Sequence, residues 1–360
     1  MRNRFKPHIL KVARYQTSAG RDLVNGHRLD RNERVSNFSD AVLADLIGKL
    51  PRYLLNVTPD ISSLYEAIGR FVGVPRSQLY ILNGITEGIK ILYETLTNPG
   101  ENVVVLDPTY PMYNIYSQLY QLEYRKFGYT PEMKPDFDSL WRQIDDKTAA
   151  VMIPNPNLPI EAMFTVEQVR EIAERCRACG AVLVIDEAYH FFGDVPTMVP
   201  LIAEYDHLIV TQTFSKAHGL AGIRLGYMVS NEENISYLSK TRSLVETNGM
   251  TQAVAEYCLA HPELLQEHVR EVREGSRYVQ EQLTQLGIRW HGGNLTNGLL
   301  FFLQSKQQSE ELVAFMRARK IYIRGAFEPP YDHSARISIG PVPVMQVFVD
   351  ALKEWLGRGA

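Results

Sequence analysis

Thr211-Gln212-Thr213-Phe214-Ser215-Lys216-Ala217-His218-Gly219-Leu220-Ala221-Gly222-Ile223-Arg224-Leu225-Gly226-Tyr227 is the stretch on which the reading of this chain turns. It follows His207-Leu208-Ile209-Val210, an apolar run that predicts a buried strand. One lysine, Lys216, stands among small and apolar residues. Loss of hydration there disfavours the charged form of an amine. A neutral amine can attack a carbonyl and form a Schiff base. Arg224 follows in a Gly-Ile-Arg-Leu-Gly context that lets the chain pass close to an anion, and Ser215 adds a hydroxyl beside the lysine. Amine, hydroxyl and guanidinium together suit an aldehyde that carries a phosphate, of which pyridoxal phosphate (PLP) is the obvious one.

Upstream, the chain alternates strands and helices. Leu79–Leu82, Val103–Leu106, Tyr124–Phe127, Ala149–Ile153, Ala181–Ile185, His207–Thr211 and Leu225–Val229 read as strands. Helices are predicted over 38–50, 64–71, 84–96, 112–120 and 166–179, the last stopped at Gly180, a C-terminal cap position. Continuous apolar strands separated by helices predict a mostly parallel sheet covered on both faces. Ligands of such sheets bind beyond the carboxyl ends of the strands.

The candidate chemical residues sit at those ends. In Ile185-Asp186-Glu187-Ala188-Tyr189, Asp186 stands just past a buried strand, where a carboxylate can keep a pyridine nitrogen protonated. A strand-end Asp can equally cap the next turn. Tyr189 could donate to a ring phenolate oxygen or simply pack. Asn83-Gly84-Ile85-Thr86-Glu87-Gly88 lies at a strand-to-helix junction, whose free N–H groups and dipole form an anion site. Asp107-Pro108-Thr109-Tyr110 sets an aromatic, Tyr110, at the end of another strand, where it could stack on a ring.

The chain has 360 residues, 45% hydrophobic, with 38 Lys+Arg against 41 Asp+Glu. A net charge of −3 gives no electrostatic case for nucleic acid. No apolar run approaches the roughly 18–20 residues of a membrane span. The basic N-terminus lacks the apolar segment of a signal peptide, and three cysteines are no disulfide framework. These features predict a cytoplasmic protein with no membrane or nucleic-acid partner. Cys176-Arg177-Ala178-Cys179 lies at a helix end, not at the helix start where a redox pair gains reactivity. No second pair exists for zinc, so no metal site is expected. The predicted organisation is an irregular arm over 1–35, a large domain over 36–245 and a smaller α/β domain over 246–360.

At this point the residues carry a resemblance. Leu29-Asp30-Arg31-Asn32-Glu33, Asn83-Gly84, Pro108-Thr109-Tyr110-Pro111-Met112-Tyr113, Asn155-Pro156-Asn157-Leu158-Pro159, Asp186-Glu187-Ala188-Tyr189, Thr213-Phe214-Ser215-Lys216 and Arg336-Ile337-Ser338-Ile339-Gly340 follow one another as in the fold-type I PLP enzymes. The chain resembles aminotransferase class I/II, and most of all its histidinol-phosphate aminotransferase branch. The resemblance implies the fold-type I architecture: a large, mostly parallel sheet covered by helices, plus the smaller C-terminal α/β domain. It implies Lys216 as Schiff-base lysine, Asp186 as pyridinium partner, Tyr110 as ring stacker and Tyr189 as phenolate donor. Gly84, Ile85, Thr86, Ser215 and Arg224 would hold the phosphate end of the cofactor. Arg336 would take the substrate α-carboxylate, a role its guanidinium geometry suits. Asn32 and Glu33 would lie against the substrate, and Arg324 matches a position that binds a distal phosphate or carboxylate, or else forms an ion pair. A homodimer with shared active sites, acting on a small-molecule amino acid substrate, is the implied assembly.

The departures bear on the chemistry. Where the family usually reads Asn-Pro-Thr-Gly, this chain has Leu158-Pro159-Ile160-Glu161. One phenolate donor is therefore absent, unless Asn157 moves in. Thr58 stands where the family has a Tyr that reaches the neighbouring subunit's phosphate, and Asn32-Glu33-Arg34-Val35 replaces Asn-Glu-x-Pro. Asp30, Glu33 and Glu161, near the expected mouth, could meet a guanidinium. Transamination to a 2-oxo acid leads. Elimination with cyclisation, as on hydroxylated arginine, or decarboxylation on the same scaffold is the alternative. A PLP-binding regulatory half of a transcription factor would need a DNA-binding domain that the short N-terminal arm does not supply. His190 and His218 flank the site and are expected to pack rather than to act as bases.

Overall fold

The computed structural model describes residues 4–13 and 20–358. The apolar runs become strands, labelled in chain order: β1 His27–Arg28, β2 Leu79–Leu82, β3 Asn102–Leu106, β4 Glu123–Phe127, β5 Thr148–Pro154, β6 Val182–Asp186, β7 Leu208–Thr213, β8 Gly226–Val229, β9 Trp290–Gly292, β10 Gly298–Phe302, β11 Ile321–Tyr322 and β12 Ser334–Ser338. Seven of them form one sheet in the order β2-β8-β7-β6-β5-β3-β4. Only β8 runs against its neighbours, and the pairs from β7 through β4 are parallel. Every residue of β3 is buried, as are nearly all those of β5 to β8, because helices cover both faces. The edge strand β4 instead exposes Glu123 and Lys126, charges that blunt it against pairing with another chain.

Helix boundaries follow local chemistry. Ser39 caps the helix Asp40–Gly48, and Thr165 with Gln168 forms a reciprocal capping box at the start of Val166–Cys179. Gly180 ends that helix in the left-handed region, as predicted. The short helix Phe137–Gln143, capped by Asp136, was not anticipated, because seven residues carry too little periodicity.

The smaller unit is an antiparallel sheet, β12-β10-β9, backed by the long helix Glu263–Gln285 and by Val342–Gly357. Two expected boundaries shift. Helix Gly249–Ala260, assigned above to the smaller domain, sends Ala255 and Cys258 into the large core. Residues 27–29, assigned to the arm, pair through β1 with β11 and place Leu29, fully buried, in the smaller core. The segment carrying Asp30 to Glu33 is thus anchored from both sides. Among the described residues no helix is long and apolar enough to cross a membrane, and no cluster of possible metal ligands occurs.

Candidate active site

The parallel strands deliver their carboxyl ends to one edge of the large sheet. Asp186 closes β6, and Lys216 lies three residues past β7. Asp107-Pro108-Thr109-Tyr110 follows β3, and Gly84 follows β2 and opens the helix Ile85–Leu96. Antiparallel β8 begins at that same edge, which brings Arg224 there from the opposite chain direction.

Asp186 is buried. Its Oδ2 accepts from the Tyr113 hydroxyl at 2.7 Å and its Oδ1 from the Ala188 N–H at 3.0 Å. Burial raises its pKa above the ordinary carboxylate range, against the pull of those donors and of Lys216. A cationic ring nitrogen against this carboxylate would supply the charge that burial withholds. Tyr113, packed edge-on to Tyr110 with centroids 6.5 Å apart, was quoted in the sequence only as part of a motif. Its spacing from Tyr110, one helical turn, is the signal that could have singled it out. Tyr110 is 41% exposed, and its hydroxyl pairs with Thr86 Oγ1 at 3.0 Å. Thr86, Tyr110, Tyr113 and Asp186 therefore line one continuous wall.

Lys216 is half-buried, less enclosed than its neighbours predicted. Its Nζ donates to the Arg31 carbonyl at 3.2 Å and stands 5.5 Å from the centroid of the Tyr189 ring. Ser215 is buried, with its N–H on Thr213 Oγ1. Gly84 has φ +80°, and a Cβ there would meet Arg224 Nη2 at 2.7 Å. Arg224 itself is left-handed, φ +57°. Glycine is required so that this guanidinium can lie directly on the helix start, where the N–H groups of Ile85 and Thr86 are not yet used within the helix.

Four expectations meet a different arrangement. Asn157 does not move into the place vacated at Leu158. It is fully enclosed, its amide donates to the Pro108 carbonyl at 2.9 Å and to the Tyr129 hydroxyl, and its Oδ1 accepts from Thr109 Oγ1 at 2.6 Å. Those partners hold the strand-end turns together and leave no donor for a cofactor. Leu158 is buried, with its side chain against Gly298 of β10, where a Cβ would stand 2.7 Å from Leu158 Cδ2. Glu161 does not face the mouth. Its carboxylate accepts the N–H groups of Gly293, Asn294, Leu295 and Thr296 at 2.9–3.1 Å and the Thr296 hydroxyl at 2.9 Å. Asp30 and Glu33 already hold a guanidinium of this chain, Arg21 Nη1, at 3.0 and 2.9 Å. Burial works to raise Glu33, and the bond and charge of Arg21, with Arg31 and Lys216, overcome it and leave the carboxyl below its ordinary range.

Asn32 is buried at φ +55°; its Nδ2 donates to the Tyr189 hydroxyl and its Oδ1 accepts from the Ser338 hydroxyl, so it lies behind Tyr189. Arg336 Nη2 donates to the Asp30 carbonyl at 2.6 Å. Arg324 is exposed and forms an antiparallel bridge with Arg336, with N···O distances of 2.9 and 2.7 Å. Residues directly opposite in such a pair share a face, so the two arginine side chains leave the backbone on the same side. His218 packs, as expected: it is buried, its ring lies 4.4 Å from that of Phe214, and burial lowers its pKa to about 3.

The fold and this constellation define a PLP-dependent enzyme of fold type I. The family model described as aminotransferase class I and II matches residues 39–352, and the chain belongs to that family. It is 31% identical over 336 residues to the histidinol-phosphate aminotransferase of Citrifermentans bemidjiense, covering 92% of each chain. It is 30% identical over 321 residues to that of Geotalea daltonii, covering 88% of this chain and 87% of the relative. Its backbone follows the crystal structure of the Sinorhizobium meliloti histidinol-phosphate aminotransferase in complex with pyridoxal-5'-phosphate with a TM-score of 0.87, 22% identity and 99% of both chains covered. The chain is accordingly a PLP-dependent aminotransferase, and the elimination and decarboxylation readings are not favoured.

Proposed function

We propose that Lys216, Asp186, Tyr189 and Tyr110 are the working groups of this aminotransferase, and that its substrate carries an anionic group read by Arg336 and Arg324. The observation that carries the reading is the meeting, at one sheet edge, of the Lys216 amine, the buried Asp186 carboxylate and the Arg224 guanidinium seated on Gly84. The residues fit PLP. Gly84, Ile85, Thr86, Ser215 and Arg224 would hold its phosphate, Asp186 its ring nitrogen, Tyr110 its ring face, Tyr189 its ring oxygen and Lys216 its aldehyde. When bound, PLP supplies an electron sink for the bond broken at the substrate α-carbon. Lys216 Nζ would then move the proton at that carbon. Asp186 keeps the ring nitrogen protonated, and its buried carboxylate is held in place by Tyr113 and Ala188. Arg336 pairs bidentately with a carboxylate or phosphate, and Arg324 takes a second anionic group. The relatives named for histidinol phosphate support a phosphorylated amine as one partner, and a 2-oxo acid as acceptor is part of the same proposal.

A homodimer is part of the same proposal. Ile47, Tyr53, Leu55 and Val57 are exposed on the segment leading to Thr58, and this apolar run suits a second copy that completes the site. A cytoplasmic location also belongs to the proposal, in keeping with three unpaired cysteines.

Borohydride reduction of the PLP-loaded protein, followed by peptide mapping, tests the lysine. The label is expected on Lys216, and a label elsewhere overturns the assignment. Incubation with histidinol phosphate and an amino-acid panel, with and without 2-oxoglutarate, identifies the amine by mass spectrometry of the products.

A further inference from the structure

Of the two expected donors to the cofactor's ring oxygen, Tyr189 alone remains among the described residues. Its expected companion donor is replaced by Leu158, and Asn157 is spent on Thr109, Pro108 and Tyr129. A lone hydroxyl rotates, and it donates in a fixed direction only if something else occupies its oxygen. That occupant is Asn32, whose Nδ2 donates to Tyr189 Oη at 3.0 Å.

Asn32 is itself over-determined. It is 4% exposed and adopts φ +55°, a left-handed conformation that Asn tolerates better than most residues. Its N–H donates to Ser338 Oγ at 2.7 Å, and that hydroxyl returns its hydrogen to Asn32 Oδ1 at 3.2 Å. The amide oxygen is thereby turned toward Ser338 and the amide N–H₂ toward Tyr189. Asn297 Nδ2 fixes the Asn32 carbonyl at 3.1 Å. Ser338 closes β12 and Asn297 precedes β10, so the smaller sheet supports a tyrosine that follows β6 of the large one.

We propose that Asn32 is a positioning residue: by donating to Tyr189 Oη it directs the tyrosine hydrogen toward the ring oxygen of PLP, in a site where the expected second donor is replaced by Leu158. The inference rests on the reading of Lys216 and Tyr189 given above. A donor at that ring oxygen stabilises its anion and lets the nitrogen joined to Lys216 lose its proton at lower pH. Without a directed donor the proton is held to higher pH.

The test is a pH titration of the visible absorbance of the PLP-loaded protein, a readout independent of turnover. Asn32→Gly keeps the left-handed backbone and the N–H to Ser338 while removing the amide. Its midpoint is expected to rise by about half to one pH unit, less than the rise in Tyr189→Phe, since a hydrogen bond to a charged group is worth on the order of one such unit. In the Tyr189→Phe background, Asn32→Gly should add nothing, because its route is gone. Ser338→Ala, a milder change, should move the midpoint in the same direction by a smaller step, and it serves if Asn32→Gly does not fold. A reducible visible band whose midpoint is unmoved in Asn32→Gly, or in Ser338→Ala where only that variant folds, sinks this inference alone. So does a shift that persists beside Tyr189→Phe. Absence of any band reducible onto Lys216 brings down the site reading together with the inference.

Discussion

Glu161→Ala is expected to destabilise the protein more than any other single truncation outside the cores. The carboxylate is 8% exposed and takes four consecutive backbone N–H groups, Gly293 to Thr296, and one hydroxyl. Thr296 Oγ1 has a second acceptor in the Gly298 carbonyl at 3.2 Å, so it is not stranded by the change. The four N–H groups have no alternative of that kind; those of Gly293 and Thr296 are buried, those of Asn294 and Leu295 only partly so. A stranded buried donor costs about 1–3 kcal/mol. The four share one acceptor group, and water can enter the space a truncation leaves, so the sum does not apply in full. We expect a loss of about 3–5 kcal/mol, and about half that for Glu161→Gln, whose amide oxygen still accepts while its N–H₂ faces a donor. At roughly 1–1.5 °C per kcal/mol for a chain of 360 residues, the thermal midpoint of Glu161→Ala should fall by about 5 °C. Urea denaturation followed by the emission of Trp290, in the strand that precedes the loop and in a background where Trp141 and Trp355 are replaced by Phe, reads the same region locally. If Glu161→Ala lies within about 1 kcal/mol of the parent at unchanged urea dependence, the loop amides are solvated and the carboxylate is not what holds them.

Two further outcomes follow from the same structure. His218 and His268 are buried, with burial lowering their pKa values to about 3 and about 4, below the ordinary 6.5, so the unfolded chain binds protons that the folded one refuses. Stability therefore falls as pH drops below about 6.5 toward those values. His218→Phe, which also removes two unpartnered ring nitrogens, should flatten that loss by several kcal/mol at pH 4 in a denaturation series, and an unchanged acid slope counts against it. Gly84→Ala puts a methyl 2.7 Å from Arg224 Nη2 on a φ +80° backbone, and should weaken PLP binding at least tenfold in equilibrium dialysis, whereas parental affinity would show that Arg224 does not need this approach.

The main sheet was legible because its strands are buried on both faces and so read as unbroken apolar runs: Val103–Leu106 and Leu208–Val210 admit little else. The places of Lys216, Asp186 and Tyr110 were legible for a topological reason, since parallel strands deliver their ends to one edge. The direction of an individual side chain is not encoded that way. Asn157 turns inward because Thr109, Pro108 and Tyr129 converge on it from other strand ends, and register within one strand does not show this. Glu161 finds its partners 132 to 135 residues later, in a loop whose sequence, Gly293-Asn294-Leu295-Thr296, has no charge to advertise the match. Asp30 and Glu33 read as free acids because Arg21 lies upstream in a stretch without periodicity.

The departures from the family pattern are coupled by packing. Leu158 replaces a polar donor with a branched apolar side chain, and that side chain finds room only because position 298 of β10 lacks a Cβ. Glu161 stands at the end of the same turn and binds the loop that leads into β10. An apolar contact and a charged nest thus tie one four-residue turn of the large unit to one hairpin of the small one. Asn32 adds a third tie, from Ser338 and Asn297 to Tyr189. Reverting Leu158→Asn alone would place an amide against Gly298 in an apolar niche, with its cost of burial unmet unless it turns to the cofactor. The change is therefore expected to be costly in the protein without PLP and less so with it, which makes the difference between the two denaturation midpoints a direct measure of where position 158 faces.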